Sequence, residues 1–417
     1  MKHYWFTIET YVHISIKRND VLLYNSYTGK SLIYKGEKKI LAMVKRIESK
    51  KNLYVILLSE KDIADPVTRR FVVDIKENFM GDLIDASYSS GKPVQMKPIL
   101  TVKNDVKYLK NDDDRSVGED MMKYLTEISL YINDECSQNC FICQNAYKQF
   151  HCCTKNMKHK SESDIKKINV LLNELISSPV INLNIIGGNI LSYSQFEDLI
   201  TSLYKKKFQK TFFCHYSNIN VDNNLLKLLK FNSSLVNILI TLPADERKLI
   251  VAVETLKKEA IKAKYTFIIQ YDREFEQIQN IVQSFDIIDY YLQPFYNGKN
   301  LKFFKKNVFV SKDEVLDDKP SIKEILRNML INSQNFGRLT ITSDGNIYSN
   351  INSRRIGILG KDSIYDVIYK EMYQGKSWRR IRKNVEPCKR CIFFALCPPI
   401  SNYSYAIGKY DLCHMKI

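Results

Sequence analysis

The chain has 417 residues and a mass of 48.8 kDa, 45% hydrophobic and 26% charged, enough for two or three packed domains. Its 63 Lys and Arg against 46 Asp and Glu leave a formal net charge of +17, which points to an acidic partner. Met1 to Thr10 lacks the apolar run of about 7–15 residues of an export signal. No uncharged apolar stretch approaches the roughly eighteen residues of a membrane span, so the expectation is a cytoplasmic protein with no membrane partner.

Basic residues occur in short, scattered clusters such as Lys205-Lys206-Lys207 and Arg379-Arg380-Ile381-Arg382-Lys383. A nucleic-acid binder would gather them into a stripe, so an acidic peptide is the better expectation.

In chain order, His13–Lys17, Val21–Tyr24 and Ser31–Tyr34 read as short strands, separated by the turn signals Arg18-Asn19-Asp20 and Thr28-Gly29. Lys38–Ile47 has helical spacing, Leu53–Leu58 reads as a strand, and a second helix falls within Thr68–Ile84. Polar residues Asn111 to Ser116 mark a boundary, giving a first region at 1–115.

From 124 to 310 the chain alternates strand and helix. The predicted strands are Glu127–Ile132, Ile181–Ile186, Thr211–His215, Leu235–Leu242, Tyr265–Gln270 and Ile287–Gln293. The helices are Ser163–Ile176, Phe196–Tyr204, Asn224–Leu229, Glu246–Lys262 and Phe275–Phe285. Alternation of this kind implies a parallel sheet or open barrel with its chemistry at the C-terminal strand ends. A last region, 333–417, carries a hairpin (Arg338–Thr342, Gly345–Tyr348), a helix near Ile364–Tyr373 and four cysteines.

Ten cysteines in a cytosolic chain point to metal ligation or catalysis more than to disulfides. Cys136, Cys140 and Cys143 form C-x3-C-x2-C directly after the first strand of the alternating series. Three thiolates suit three corners of a 4Fe–4S cluster and leave one iron open to a small molecule. A zinc site is the alternative, with His151, Cys152 or Cys153 as the fourth ligand. Cys388, Cys391, Cys397 and Cys413 form a second set, which suits a closed cluster or a structural zinc equally well. The adjacent Cys152 and Cys153 diverge, Cys214 sits on an apolar strand, and lone histidines such as His151 and His215 read as structural. Tyr216 and Tyr296 fall near predicted strand ends, where a substrate cavity would lie.

The triplet in this strand context resembles the radical S-adenosylmethionine superfamily. That resemblance implies a partial (β/α)6 TIM-like barrel of the α/β class. It implies a 4Fe–4S cluster on Cys136, Cys140 and Cys143, whose open iron takes S-adenosylmethionine, and a 5′-deoxyadenosyl radical that abstracts hydrogen from substrate. By position it gives Gly187, Gly188 and Asn189 the place of a Gly-Gly-Glu motif, and Ser217 and Asn218 the place of a Thr-Asn pair, both cofactor-binding. The sequence departs from the pattern at Ile142, where an aromatic is usual, at Asn189, which lacks the carboxylate, and at Thr241-Leu242-Pro243, where Ser-x-Asp is frequent.

C-x2-C-x5-C with a later cysteine is similar to the SPASM extension of peptide-modifying radical enzymes. It implies a C-terminal Cys-rich SPASM/twitch-like domain with an auxiliary 4Fe–4S cluster on Cys388, Cys391, Cys397 and Cys413, making two clusters in all. Leu339 to Tyr348 resembles the hairpin of that extension. Cysteines of its inner cluster are replaced here by Ser349 or Asn350 and by Ser401. The first 90 residues resemble, in element order, an α+β winged-helix-like leader-peptide recognition element. Together these imply a maturase of a ribosomally made peptide with an acidic leader, fed by a flavodoxin- or ferredoxin-type electron donor. The alternative is a catalytically inactive, radical-enzyme-like partner that binds precursor peptide or assists a second maturase.

Overall fold

The computed structural model describes residues 2–88, 91–95, 122–136, 147–151, 161–180, 182–204, 206–220, 223–228 and 235–415. Cys140, Ile142, Cys143, Cys152, Cys153 and the 111–116 boundary lie outside them.

At the N-terminus, β2 (Val12–Lys17), β3 (Asp20–Asn25) and β4 (Ser31–Lys35) form an antiparallel meander. A second antiparallel sheet sets β1 (His3–Ile8) between β5 (Val55–Ser59) and β6 (Gly81–Asp85). Helix α1 (Lys38–Glu48) buries Ile40, Met43, Val44 and Ile47, an i, i+3, i+4, i+7 stripe. Helix α2 (Glu60–Ala64) starts on a Ser59–Asp62 capping box, and α3 (Pro66–Glu77) starts on Asp65 with proline at its first position.

The helix predicted within 68–84 ends at Glu77, and its last part is strand β6. Phe79 turns the chain at φ 54°. Gly81 then packs so tightly on β1 that a Cβ would lie 2.0 Å from the Thr7 carbonyl oxygen. Strand β1 was not among the predicted elements.

The main sheet runs in the order β12-β11-β10-β9-β8-β7-β13-β14-β15 among the described residues. Six parallel strands follow the chain: β7 (Glu127–Tyr131), β8 (Asn182–Ile186), β9 (Gln209–His215), β10 (Leu235–Thr241), β11 (Ala263–Ile269) and β12 (Tyr290–Pro294). Crossover helices α4 (Ile165–Glu174), α5 (Phe196–Tyr204), α6 (Asn223–Lys227), α7 (Glu246–Lys258) and α8 (Glu274–Ser284) link them. This is a partial (β/α) barrel, as the alternation predicts.

Alternation within the strands sorts the residues by face. Ile128 and Leu130 of β7, Ile185 of β8 and Ile238 and Ile240 of β10 enter one core with the helices. The opposite faces are polar: the Asn184 amide donates to Glu127 Oε1 (3.0 Å) and Ser129 Oγ (3.3 Å), and Thr266 donates to Asn237 (2.9 Å). A polar barrel interior leaves room for chemistry where an apolar one would be filled.

Three helices, α9 (Leu301–Asn307), α10 (Lys312–Asp317) and α11 (Ile322–Leu330), follow the barrel. The chain then returns: β13 (Arg338–Ile341) pairs in parallel with β7, and β14 (Asn346–Tyr348) and β15 (Gly357–Ile358) extend the sheet antiparallel. Helices α12 (Ile364–Gln374) and α13 (Asn402–Ile407) complete the C-terminal region. Leu22 and Tyr24 of β3 are fully buried in a cluster with Phe394, Leu396 and Cys397, so the meander rests on the C-terminal cysteine segment. Lys17 Nζ lies 4.4 Å from the Phe394 ring centre at the same contact. No helix among the described residues is long and apolar enough to cross a membrane.

Candidate functional site

Cys136 stands just past the C-terminal end of β7, half-buried, where the alternating fold gathers its loops. Gly187, Gly188 and Asn189 follow β8 beside it. Asn133, fully buried, pins the two strand ends together: its Oδ1 accepts from Gly188 N (3.1 Å), and its Nδ2 donates to Asn189 O (2.7 Å). A Cβ on Gly188 would lie 2.0 Å from Glu135 O and 2.9 Å from Cys136 N, and one on Gly187 would lie 2.3 Å from Asn133 Oδ1. Gly188 therefore serves an approach of backbone to backbone that sets where Cys136 stands, and Gly187 makes room for the Asn133 amide. Asn189 Oδ1 accepts from Leu191 N (3.2 Å), capping the turn that follows.

Ser217 and Asn218 lie in the turn after β9. Ser217 Oγ is 2.7 Å from His215 Nδ1, and His215 Nε2 is 3.1 Å from Thr241 Oγ1 at the end of β10. His215 thus ties two strand ends and fixes the Ser217 side chain, a link that spacing along the sequence cannot reveal. Tyr216 is buried, its hydroxyl accepting from Asp245 N (2.8 Å). Cys214 is buried as well, and burial pushes its thiol up to about 12.

The second cysteine set forms a neighbourhood. Cys388, Cys391 and Cys397 are buried and Cys413 half-buried. Charge on Cys413 and Cys388 bears on both Cys391 and Cys397, and burial pushes the Cys397 thiol up to about 12. The Arg382 guanidinium lies 3.4 Å from Cys388 Sγ and also donates to Tyr410 O (2.8 Å) and Pro398 O (2.6 Å). Cys413 is fixed by a parallel bridge to Val310. Four thiols with an arginine beside them fit an anionic, thiolate-bound metal group in kind and number. Among the described residues no group of three or more His, Cys, Asp or Glu side chains stands in metal-holding geometry.

Between the barrel interior and the C-terminal segments lies a cavity of about 450 Å³. Glu127, Ser129 and Tyr131 of β7 and Arg338 and Thr340 of β13 line one side. Arg338 pairs with Glu127 at 3.5 Å. His151 also borders the cavity, packed at 5.0 Å between ring centres on Phe213. Loss of water contact, aided by Arg338, pushes its imidazole down to about 4, so it is neutral at physiological pH. The segment carrying it is clamped on both sides. Gln149 makes two hydrogen bonds with the Tyr296 backbone (2.8 and 2.8 Å), and Asn352 makes two with that of Lys148 (2.7 and 2.7 Å). Sequence reasoning passed over these amides and the place of His151, because the partners are 147 and 204 residues apart.

The positions where the resemblance expects inner-cluster cysteines hold a hydrogen-bonded network. Ser349 Oγ donates to Glu371 Oε2 (2.8 Å), and Trp378 N donates to Glu371 Oε1 (2.9 Å). Asn350 Nδ2 donates to Asn335 Oδ1 (2.9 Å) and Asn402 Oδ1 (2.7 Å). Ser401 begins α13 without a side-chain cap bond.

No family model and no curated protein matches the sequence. Solved structures do. Streptococcus suis SuiB bound to S-adenosylmethionine is 11% identical, with a TM-score of 0.53 over 98% of this chain and 100% of that one. SuiB bound to precursor peptide SuiA is 13% identical, with a TM-score of 0.50 over 98% of each chain. A further SuiB structure is 12% identical at a TM-score of 0.51. Along nearly its whole length, the chain shares the fold of SuiB, in keeping with the architecture that the resemblance to the radical S-adenosylmethionine/SPASM enzymes implies.

Proposed function

We propose that the chain is a radical S-adenosylmethionine maturase of a ribosomally made peptide, with two 4Fe–4S clusters. Cys136, Cys140 and Cys143 would hold the cluster that binds S-adenosylmethionine. Gly187, Gly188, Asn189, Ser217 and Asn218 would line the cofactor, and Cys388, Cys391, Cys397 and Cys413 would hold the auxiliary cluster. When bound, the first cluster supplies the electron that cleaves the cofactor to a 5′-deoxyadenosyl radical. The observation that carries this reading is the position of Cys136, at the strand end beside the Gly187-Gly188 turn, in a fold shared with a protein bound to S-adenosylmethionine.

The division of labour follows the three regions: 1–115 for an acidic leader, 124–310 for the chemistry, 333–417 for the auxiliary cluster. The β4 edge of the meander suits strand addition by an extended leader peptide. Lys35, Lys38 and Lys39 beside it suit an acidic one. A flavodoxin- or ferredoxin-type protein would supply electrons in the cytoplasm. That SuiB is solved with a precursor peptide supports a peptide partner.

A second reading is a partner protein without turnover, assisting another maturase. Asn189 favours it, since this residue brings no carboxylate and its Oδ1 already caps the following turn.

Iron content tests the two cysteine sets separately. Anaerobic reconstitution should give about eight irons per chain, as two 4Fe–4S clusters require. The Cys136→Ala/Cys140→Ala/Cys143→Ala variant and the Cys388→Ala/Cys391→Ala/Cys397→Ala variant should each retain about four. Zinc in place of iron in the wild type would contradict the proposal.

A further inference from the structure

The cavity described above has an unusual wall. Where inner-cluster cysteines are expected, Asn350 bonds to Asn335 and Asn402, and all three border the cavity together with Gln334. Asn335 and Asn350 are buried at 8% and 5% exposure, Asn402 is half-buried, and Gln334 stands exposed at the rim. The side-chain nitrogens of Asn335 and Asn402, and the whole Gln334 amide, have no hydrogen-bond partner among the described residues. On the facing barrel wall stand Ser129, Asn237, Thr266 and Thr340. Of the charged residues on the lining, Glu127 and Arg338 pair with each other, and Lys148 is the third.

We propose that this amide wall is a subsite for an uncharged, polar peptide segment, meeting its side-chain amides and hydroxyls as well as its backbone. A peptide group presents one N–H and one C=O, and a side-chain amide offers the matching acceptor and donors. The protein already uses this pairing twice beside the cavity, in the paired hydrogen bonds of Gln149 with the Tyr296 backbone and of Asn352 with that of Lys148. An apolar side chain in the subsite would leave the buried Asn335 amide unpaired, and a charged one would exchange water for a wall of neutral amides. The segment facing this wall is therefore small, polar and neutral, in contrast to the acidic leader expected at the N-terminal region. The inference rests on the maturase reading only for calling that segment substrate.

The test is binding of capped tripeptides to the full chain, followed by saturation-transfer NMR. The probes are acetyl-Asn-Ala-Ser-amide, acetyl-Asp-Ala-Asp-amide and acetyl-Leu-Ala-Leu-amide. The neutral polar probe should bind about fivefold more tightly than the other two, the worth of about one hydrogen bond. Asn402→Leu should weaken it by about the same factor. Gln334→Leu, which breaks no bond within the fold, should also weaken it while leaving the melting temperature unchanged. Equal binding of all three probes, or no effect of either substitution, would overturn the subsite. Because the readout is binding, the subsite stands or falls independently of S-adenosylmethionine cleavage.

Discussion

Replacing Glu371 with leucine is expected to cost about 2–4 kcal/mol of stability, while replacing it with glutamine costs little or nothing at neutral pH. Glu371 is 2% exposed on α12, and its carboxylate accepts from Ser349 Oγ and from the backbone of Trp378. Trp378, fully buried, in turn donates its indole N–H to Arg338 O (3.0 Å), which joins the helix to β13 and the barrel. Leucine would orphan two buried donors at about 1–3 kcal/mol each, partly offset by removal of a buried charge. Glutamine keeps an acceptor for Trp378 N and meets the Ser349 hydroxyl with its own amide.

The pH dependence has a definite sign. Burial raises the Glu371 carboxyl above its ordinary 4.5, against the pull of the Trp378 and Ser349 hydrogen bonds. The folded chain holds that proton to higher pH than the unfolded chain. Its contribution is therefore full below about 4.5 and is lost as pH rises through the folded value. Thermal melts of the wild type and Glu371→Gln across pH 4–8 should show this slope in the former and its loss in the latter. A glutamine variant as damaged as the leucine variant would mean that the charge itself holds the network.

The second large effect is expected at Gly188. An added methyl would meet the Glu135 carbonyl carbon and oxygen at 2.3 and 2.0 Å, and all the nearest atoms are backbone. Backbone must move, at a typical overpacking cost of about 1–3 kcal/mol. The moving segment leads directly into Cys136. Gly188→Ala should therefore lose iron from the first cysteine set and keep the about four irons of the second. Iron analysis of the reconstituted variant checks this. Full iron content with an unchanged melting temperature would show that the approach is looser than the geometry requires.

Much of the barrel was legible because each element carries its own period. The helices Phe196–Tyr204, Glu246–Lys258 and Glu274–Ser284 and the strands of the series lie where hydrophobic spacing predicts, within a few residues at their ends. The strand expected from Ile287 starts only at Tyr290, since Ile287 N still closes the preceding helix on Val282 O. Strand β1 escaped notice because its partners, β5 and β6, are distant in sequence. Helices α10 and α11 were also passed over, although Ser311-x-x-Glu314 and Ser321-x-x-Glu324 are capping boxes readable from sequence.

The two cysteine sets stood out through spacing alone, a local property. Nothing local announces that Asn350 meets Asn402, that Gln149 meets Tyr296, or that His215 joins Ser217 to Thr241. These contacts depend on strand register and on the return of β13 to β7. They decide what surrounds the proposed chemistry.

The most direct measurement is 5′-deoxyadenosine release from S-adenosylmethionine by the anaerobically reconstituted, dithionite-reduced protein. The account predicts release by the wild type and none by the Cys136→Ala/Cys140→Ala/Cys143→Ala variant. A wild type that carries its full iron yet leaves S-adenosylmethionine intact would contradict the maturase and favour the partner reading.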